Sequence, residues 1–301
     1  MERRLRPAAL PSVIRHSSFV IRRAFTLIEV MVVMVLLSLI VLALMAVFNT
    51  TQTAFRAGVT QVEVMESGRS TMELMSSDLR KMAPSFGVSN GAVNFFAFLN
   101  GSAPLVQPLI ASNQRQRTNT LEEFFILSRN NVNGQDIWTG TGYVVDTGST
   151  TSINPLYRFS ASTNAGAADP AVLFANFITT PYTSMSHLMD GVVELTVRAY
   201  DPNGTLMTTN IVYSGGQYVT NRNVLYFATA SGETGFKMFS NTLPASVQIE
   251  MGVLEDRTLQ RAESLSASPT AELNYLQQQA GAVHVFRQRV SIPNVDPSAY
   301  Q

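Results

Sequence analysis

Few side chains in this sequence are of types that do chemistry, and their spacing narrows the reactions further. Histidine occurs only at His16, His187 and His284. No HExxH pair or P-loop occurs, and no G-x-S-x-G nucleophile motif is expected. Glu122 and Glu123 adjoin Phe124 and Phe125 in a strand-like run. Neighbours in a strand point to opposite faces, so the two cannot act as an acid–base pair; one is expected in solvent and one at an edge. Gly140-Thr141-Gly142 lacks the third glycine of a dinucleotide fingerprint. Asn130-Asn131-Val132-Asn133-Gly134-Gln135-Asp136, and Asp201 with Asn203, are oxygen-rich enough to offer calcium ligands. Both stretches hold few carboxylates for such a site and read more economically as turns. The expectation is no catalytic residue, no metal and no cofactor.

The absence of cysteine excludes disulfide scaffolds, thiolate metal sites and cysteine nucleophiles. The 301 residues balance 21 basic against 21 acidic side chains, but the balance is uneven along the chain. Residues 1–24 carry six arginines against Glu2 alone, which leaves the remaining 277 residues with about five net negative charges. A chain acidic over most of its length has no broad polyanion-binding surface, and no nucleic-acid partner is expected. Hydrophobic content of 46% with 14% charged residues fits a folded protein.

The dominant element lies near the N-terminus. Val30 to Phe48 reads VMVVMVLLSLIVLALMAVF, 19 residues in which Ser38 alone is polar. A helix of that length spans roughly 30 Å of hydrocarbon. Arginines cluster before it and not after, so the positive-inside rule keeps the N-terminus cytoplasmic and sends the rest across. The exit Val47-Phe48-Asn49-Thr50-Thr51 offers no small-x-small cleavage site, which predicts a retained anchor rather than a removed signal peptide. Glu29 stands at the head of this apolar run, where an unpaired carboxylate is costly and calls for a partner. Snorkelling to the interface, or the positive end of the helix dipole, would also accommodate it.

The whole string Arg22-Arg23-Ala24-Phe25-Thr26-Leu27-Ile28-Glu29-Val30 and the apolar run behind it resemble the processing signal of type IV pilins and type II secretion pseudopilins. The resemblance implies a prepilin peptidase that cuts between Ala24 and Phe25 and methylates the new amine on Phe25. It makes Glu29 the residue that pairs with a neighbouring subunit during assembly. The family usually has glycine before the cut; this sequence has Ala24, the next smallest residue. Physically, Glu29 of one chain neutralises the buried amine of another, each offsetting the other's desolvation.

Residues 49–83 hold no proline, and Phe55, Val59, Val62, Met65, Met72, Met75, Leu79 and Met82 recur at steps of mostly three and four. That spacing predicts an amphipathic helix continuing the anchor, stopped by Pro84, with the methionine stripe packed on a domain. Beyond Pro84 come short β-type runs: 92–99, 121–128, 137–145, 156–160, 192–200, 206–213, 224–228, 247–253 and 283–292. Val193, Leu195, Val197 and Ala199 alternate with Glu194, Thr196, Arg198 and Tyr200, as a sheet with one wet face requires. Asp201-Pro202-Asn203-Gly204 predicts a hairpin into 206–213. Ser268-Pro269 and Gly281 frame a helix near 269–280. The stretch 100–180 reads as a loop-rich insertion.

These elements predict an α+β, type IV pilin-like fold: a leader at 1–24, an anchor and assembly helix at 25–48, its amphipathic continuation at 49–83, and an antiparallel β-rich domain at 84–301. Leu188–Leu195, Leu243-Pro244-Ala245-Ser246-Val247 and Ile292-Pro293-Asn294 resemble segments of the J-type minor pseudopilins of type II secretion. That resemblance implies a structural, non-enzymatic subunit of a short periplasmic filament, held in the bacterial inner membrane. Its partners would be prepilin peptidase, other pseudopilins or pilins, and secreted cargo. A minor pilin of a surface or DNA-uptake pilus, and a membrane-tethered enzyme or binding protein, are the alternatives.

Overall fold

The computed structural model describes residues 26–86, 91–108, 116–147, 153–166, 169–207, 213–214, 217–218, 223–228 and 234–300. The chain divides into two compact units, Met1–Phe55 and Arg56–Gln301.

Helix α1 runs from Leu27 to Arg80 and enters both units. In the first unit every described residue is exposed, and the single polar side chain of the apolar run, Ser38, donates its hydroxyl to the Met34 carbonyl at 2.8 Å. That bond satisfies the hydroxyl without a solvent partner. In the second unit the expected stripe divides. Val59, Val62 and Met65 stay exposed, as does Phe55 just before them, whereas Met72, Met75, Leu79 and Met82 are buried, joined by Val64, Thr71 and Asp78. Only the C-terminal half of the expected face therefore packs on the domain. Each of those four large side chains contributes about 1.5–3 kcal/mol of burial. Gly68 permits the closest approach: a Cβ there would meet the Phe286 ring at 2.3 Å.

The helix ends at Arg80, ahead of Pro84. Lys81 turns, Met82 bridges Ser128, and the Ala83 amide donates to the Leu127 carbonyl at 2.9 Å. Pairing with a strand thus takes over before the proline is reached.

The domain is built on β1 (Val93–Pro108), β2 (Gln116–Val132), β3 (Gln135–Val145), β4 (Leu156–Asn164), α2 (Ala171–Thr179), β5 (Ser186–Met189), β6 (Val192–Tyr200), β7 (Tyr213–Ser214), β8 (Gln217–Tyr218), β9 (Val224–Ala228), β10 (Thr234–Phe239), β11 (Ser246–Leu254), α3 (Asp256–Glu263), α4 (Pro269–Leu276) and β12 (Val283–Ser291). A ten-stranded sheet runs β12-β11-β6-β2-β1-β10-β9, with β3, β4 and β5 continuing from β2. All its ladders are antiparallel except β2 against β6, which share one parallel pair, Leu121 with Leu195. The layout is α+β: a long apolar N-terminal helix followed by a mostly antiparallel sheet domain, consistent with a pilin-like fold.

Several expectations change. The stretch 100–180 holds β1's second half, β2, β3, β4 and α2 rather than mainly loops. The turn at Asp201–Gly204 forms and Tyr200 bridges Leu206, while residues 208–212 of the expected second strand lie outside the described residues. The helix at Pro269 ends at Leu276, and a 3₁₀ turn at Ala280–Ala282 follows. Ser268 makes no side-chain cap.

Two cores result, one on each sheet face. Phe95, Phe124, Ile126, Leu195, Ile249 and Met251 pack with α1's Met75 and Leu79. The alternate residues Phe96, Phe125, Leu127 and Val144 pack with Leu173 and Phe177 of α2. The middle strands are therefore buried on both faces, and period-2 polarity fades there. On β6 the expected wet face is largely closed: Glu194 and Thr196 are buried, and only Arg198 and Tyr200 stay half-buried.

Candidate functional site

The N-terminal motif enters the described structure at Thr26. The Thr26 hydroxyl accepts the Glu29 amide at 3.3 Å and its carbonyl accepts the Val30 amide at 3.2 Å. Thr26 is thus the N-cap and Glu29 the third helical residue, half of a T-x-x-E capping box. The cap fixes where the helix starts, and the carboxylate favours the positive helix end. Its side chain is exposed and has no partner among the described residues. Ala24 and Phe25 lie outside the described residues.

Around Glu29, Leu27 to Phe48 present an apolar surface that stays exposed among the described residues: Leu27 is 79% exposed and Leu42 69%. Among the described residues α1 is the one helix long and apolar enough to cross a membrane, with a mean hydropathy of 3.2 over its best window. So much uncovered apolar surface needs lipid or other protein around it.

A family model described as "Prokaryotic N-terminal methylation motif" matches residues 21–45. The chain carries a prepilin-type N-terminal methylation motif. The motif marks type IV pilin-like proteins processed by prepilin peptidase and assembled with other pilins, and points to a structural subunit rather than an enzyme. With the apolar helix, it is consistent with membrane anchoring. No curated protein and no solved structure matches the chain.

In the domain, the ionised groups mostly hold elements together. Asp78 of α1 is 5% exposed and accepts Tyr143 Oη at 2.8 Å, Arg158 Nη2 at 2.7 Å and Lys81 Nζ at 3.1 Å. Burial pushes its carboxyl up, but these three donors outweigh burial and hold it below the usual range. Burial and the neighbouring Asp78 charge push the Tyr143 phenol up, so it stays a donor. The cluster clamps the helix to β3 and β4. Buried Glu250 is gripped by Arg287 at 2.7 Å and Arg198 at 3.4 Å. Asn94, fully buried, accepts the Ser85 amide and donates to the Ser240 and Thr242 carbonyls. Asn294, from the Ile292-Pro293-Asn294 segment, donates to the Met82 carbonyl at 2.9 Å and closes the helix exit.

The residues singled out in the sequence are dispersed. His187 meets Asp190 at 2.9 Å on an exposed edge, and His284 meets Glu255 at 3.0 Å; His16 lies outside the described residues. Around Asn130–Asp136, Asp136 is taken by Arg129 and Asn131, while Asn133 (φ 54°) and Gly134 (φ 79°) make the β2–β3 turn. Asp201 Oδ1 accepts the Asn203 and Thr205 amides at 2.9 and 2.7 Å, an Asx-type turn. Gly140 and Gly142 leave room for α2: a Cβ at Gly142 would meet the Phe177 ring at 2.4 Å. That pair of small residues was the available sign that a helix covers β3.

Two expectations need correction. Glu122 and Glu123 do point to opposite faces, but neither is solvated; both are half-buried and burial pushes each carboxyl up to about 7. Glu122 accepts the Val197 amide across the β2–β6 seam, where backbone pairing is sparse. Gly87-Val88-Ser89-Asn90-Gly91 does spell G-x-S-x-G. It follows a helix and precedes a strand, the reverse of a nucleophile elbow, and residues 87–90 lie outside the described residues.

Proposed function

We propose that this protein is a pseudopilin-type subunit that polymerises through its N-terminal helix into a periplasmic filament serving type II secretion. The observation that carries this reading is the methylation motif at residues 21–45, laid on a helix whose apolar surface is exposed among the described residues. Prepilin peptidase cuts between Ala24 and Phe25 and methylates Phe25. The resulting amine is neutralised by Glu29 of a neighbouring subunit, so neither charge stays unpaired in apolar surroundings. The Arg-rich leader faces the cytoplasm and residues 84–301 lie in the periplasm, where they meet other pseudopilins and secreted cargo. The order of the segments at 188–195, 243–247 and 292–294 supports a J-type minor subunit.

The test is the N-terminal peptide and intact mass of the protein from host membranes. A chain starting at N-methylated Phe25 is expected; one retaining residues 1–24, or starting after Phe48, overturns the reading. Glu29→Ala is expected to leave insertion and domain folding intact and abolish co-purification with the host's pseudopilins. Co-purification with surface-pilus subunits instead would assign the chain to a type IV pilus.

A further inference from the structure

One cavity in the domain holds two polar groups, the Glu123 carboxylate and Asn100 Nδ2, with no partner among the described residues. Tyr143 is registered with Phe124, and Val144 with Tyr157, so Glu123, Val144 and Tyr157 form a row across β2, β3 and β4. That row floors a cavity of about 410 Å³, roofed by Phe177 at the end of α2 and by Tyr182 of the following 3₁₀ turn. Asn100 and Asp146 also line it, and no Lys, Arg or His does among the described residues.

Three observations set its chemistry. The Glu123 carboxylate has no hydrogen-bond or ion-pair partner among the described residues, and burial is the one cause acting on its pKa, about 7. Asn100 Nδ2 is buried with no acceptor among the described residues. The Tyr157 and Tyr182 rings stack at 6.3 Å with 16° between planes, offering aromatic faces beside the carboxylates. The C-terminal end of α2 also borders the cavity, and helix C-termini favour positive charge.

We propose that this cavity receives an arginine side chain from a partner protein. The guanidinium pairs with Glu123 and lies against the tyrosine rings, in the cavity that Asp146 and Asn100 also line. A planar five-donor fork, weakly hydrated and able to stack on aromatic faces, matches this lining better than a compact ammonium. Among the described residues Glu123 makes no contact comparable to those of Asp78 or Glu250. An unpaired, half-buried carboxylate weakens the fold, and a binding role accounts for its presence there. The inference is independent of the filament reading, and the failure of either leaves the other standing.

The test uses the full chain in detergent micelles and saturation-transfer NMR with N-acetyl-L-arginine methylamide. The isosteric, uncharged N-acetyl-L-citrulline methylamide is the comparison. Saturable binding of the arginine probe is expected, with the citrulline probe and the Glu123→Gln variant each about tenfold weaker. Glu123→Gln should fold at least as stably as the parent, so lost binding is not lost structure. Affinity should rise from pH 6 to pH 8, because the guanidinium selects the Glu123 carboxylate. The other titratable groups facing it are Asp146, Tyr157 and Tyr182, and α2 carries none. No saturable binding, equal binding of the citrulline probe, or undiminished affinity in Glu123→Gln overturns the proposal.

Discussion

Leu27–Phe48 and Val64–Met82 are both rich in large apolar side chains, and Leu27–Arg80 is one unbroken helix, yet the two stretches meet opposite fates. The first is exposed all round; the second buries Met72, Met75, Leu79 and Met82 against the sheet and clamps Asp78 with three donors. The sequences differ in what accompanies the apolar residues. The first stretch is apolar on every side, which suits lipid or a bundle of like helices. The second alternates one apolar face with Glu66, Arg69, Glu73 and Arg80, so one side only is available for a core. One helix thus serves two different solvents.

The sharpest way to break this comparison is to place the same charge in each stretch. Leu79→Asp should unfold the domain, since it combines a lost side chain of about 2–5 kcal/mol with an unpaired buried charge. Leu36→Asp should leave the domain's near-UV circular dichroism and melting unchanged while lowering the membrane-bound fraction. If both variants unfold the domain, the division of labour is wrong.

A smaller effect is expected at the clamp. Asp78→Ala leaves Arg158 half-buried without its carboxylate and should cost about 3 kcal/mol, read as a drop in the domain's denaturation midpoint. The converse test is pH. Glu122 and Glu123 titrate near 7 in the folded protein and near 4.5 unfolded, so the folded state binds more protons between those values. Stability should therefore rise as pH falls from 8 to 5, on the order of 2 kcal/mol for each carboxylate. Below pH 4 the trend should reverse, because the Asp78 carboxylate, held below its ordinary 3.8, begins to take up its proton and the clamp loses strength. Glu123→Gln should roughly halve the rise between pH 5 and 8, because Glu122 keeps its share. The smallest effect belongs to the cap: Thr26→Ala should fray the helix start by about 1 kcal/mol, visible in hydrogen exchange near Glu29, with the domain untouched.

How much of this was legible varies by element. The long helix was, because Val30–Phe48 and the Met72–Met82 spacing each carry one strong period. Strands β6, β11 and β12 were close, because their flanking turns and alternation survive. Helix α2, Ala171–Thr179, was missed: AVLFANFIT is nine residues, a short apolar run that reads equally as a strand, and the start signal Asp169-Pro170, whose Asp169 Oδ1 accepts the Ala171 amide at 2.9 Å, was passed over. Strand β10 was missed because Gly235 and Lys237 interrupt its pattern; it forms because β1 and β9 offer it partners on both sides. The Glu122–Glu123 pair misled for a related reason, since burial depends on α2 and β6, which lie far along the chain.

The sequence by itself determined the features that need only neighbours along the chain: the Thr26–Glu29 start, the apolar length that follows, and the turns at Asn131–Asp136 and Asp201–Gly204. Helix periodicity, capping and turn chemistry act over a few residues, so local order is enough to read them. Tertiary structure decided which half of the amphipathic stripe is covered, where α1 ends, which carboxylates are clamped and which stand alone, and that the middle strands are wet on neither face. Each depends on a partner tens to hundreds of residues away, such as Asn294 on Met82 or Arg158 on Asp78. Burial is a property of that assembled neighbourhood, and no local pattern encodes it.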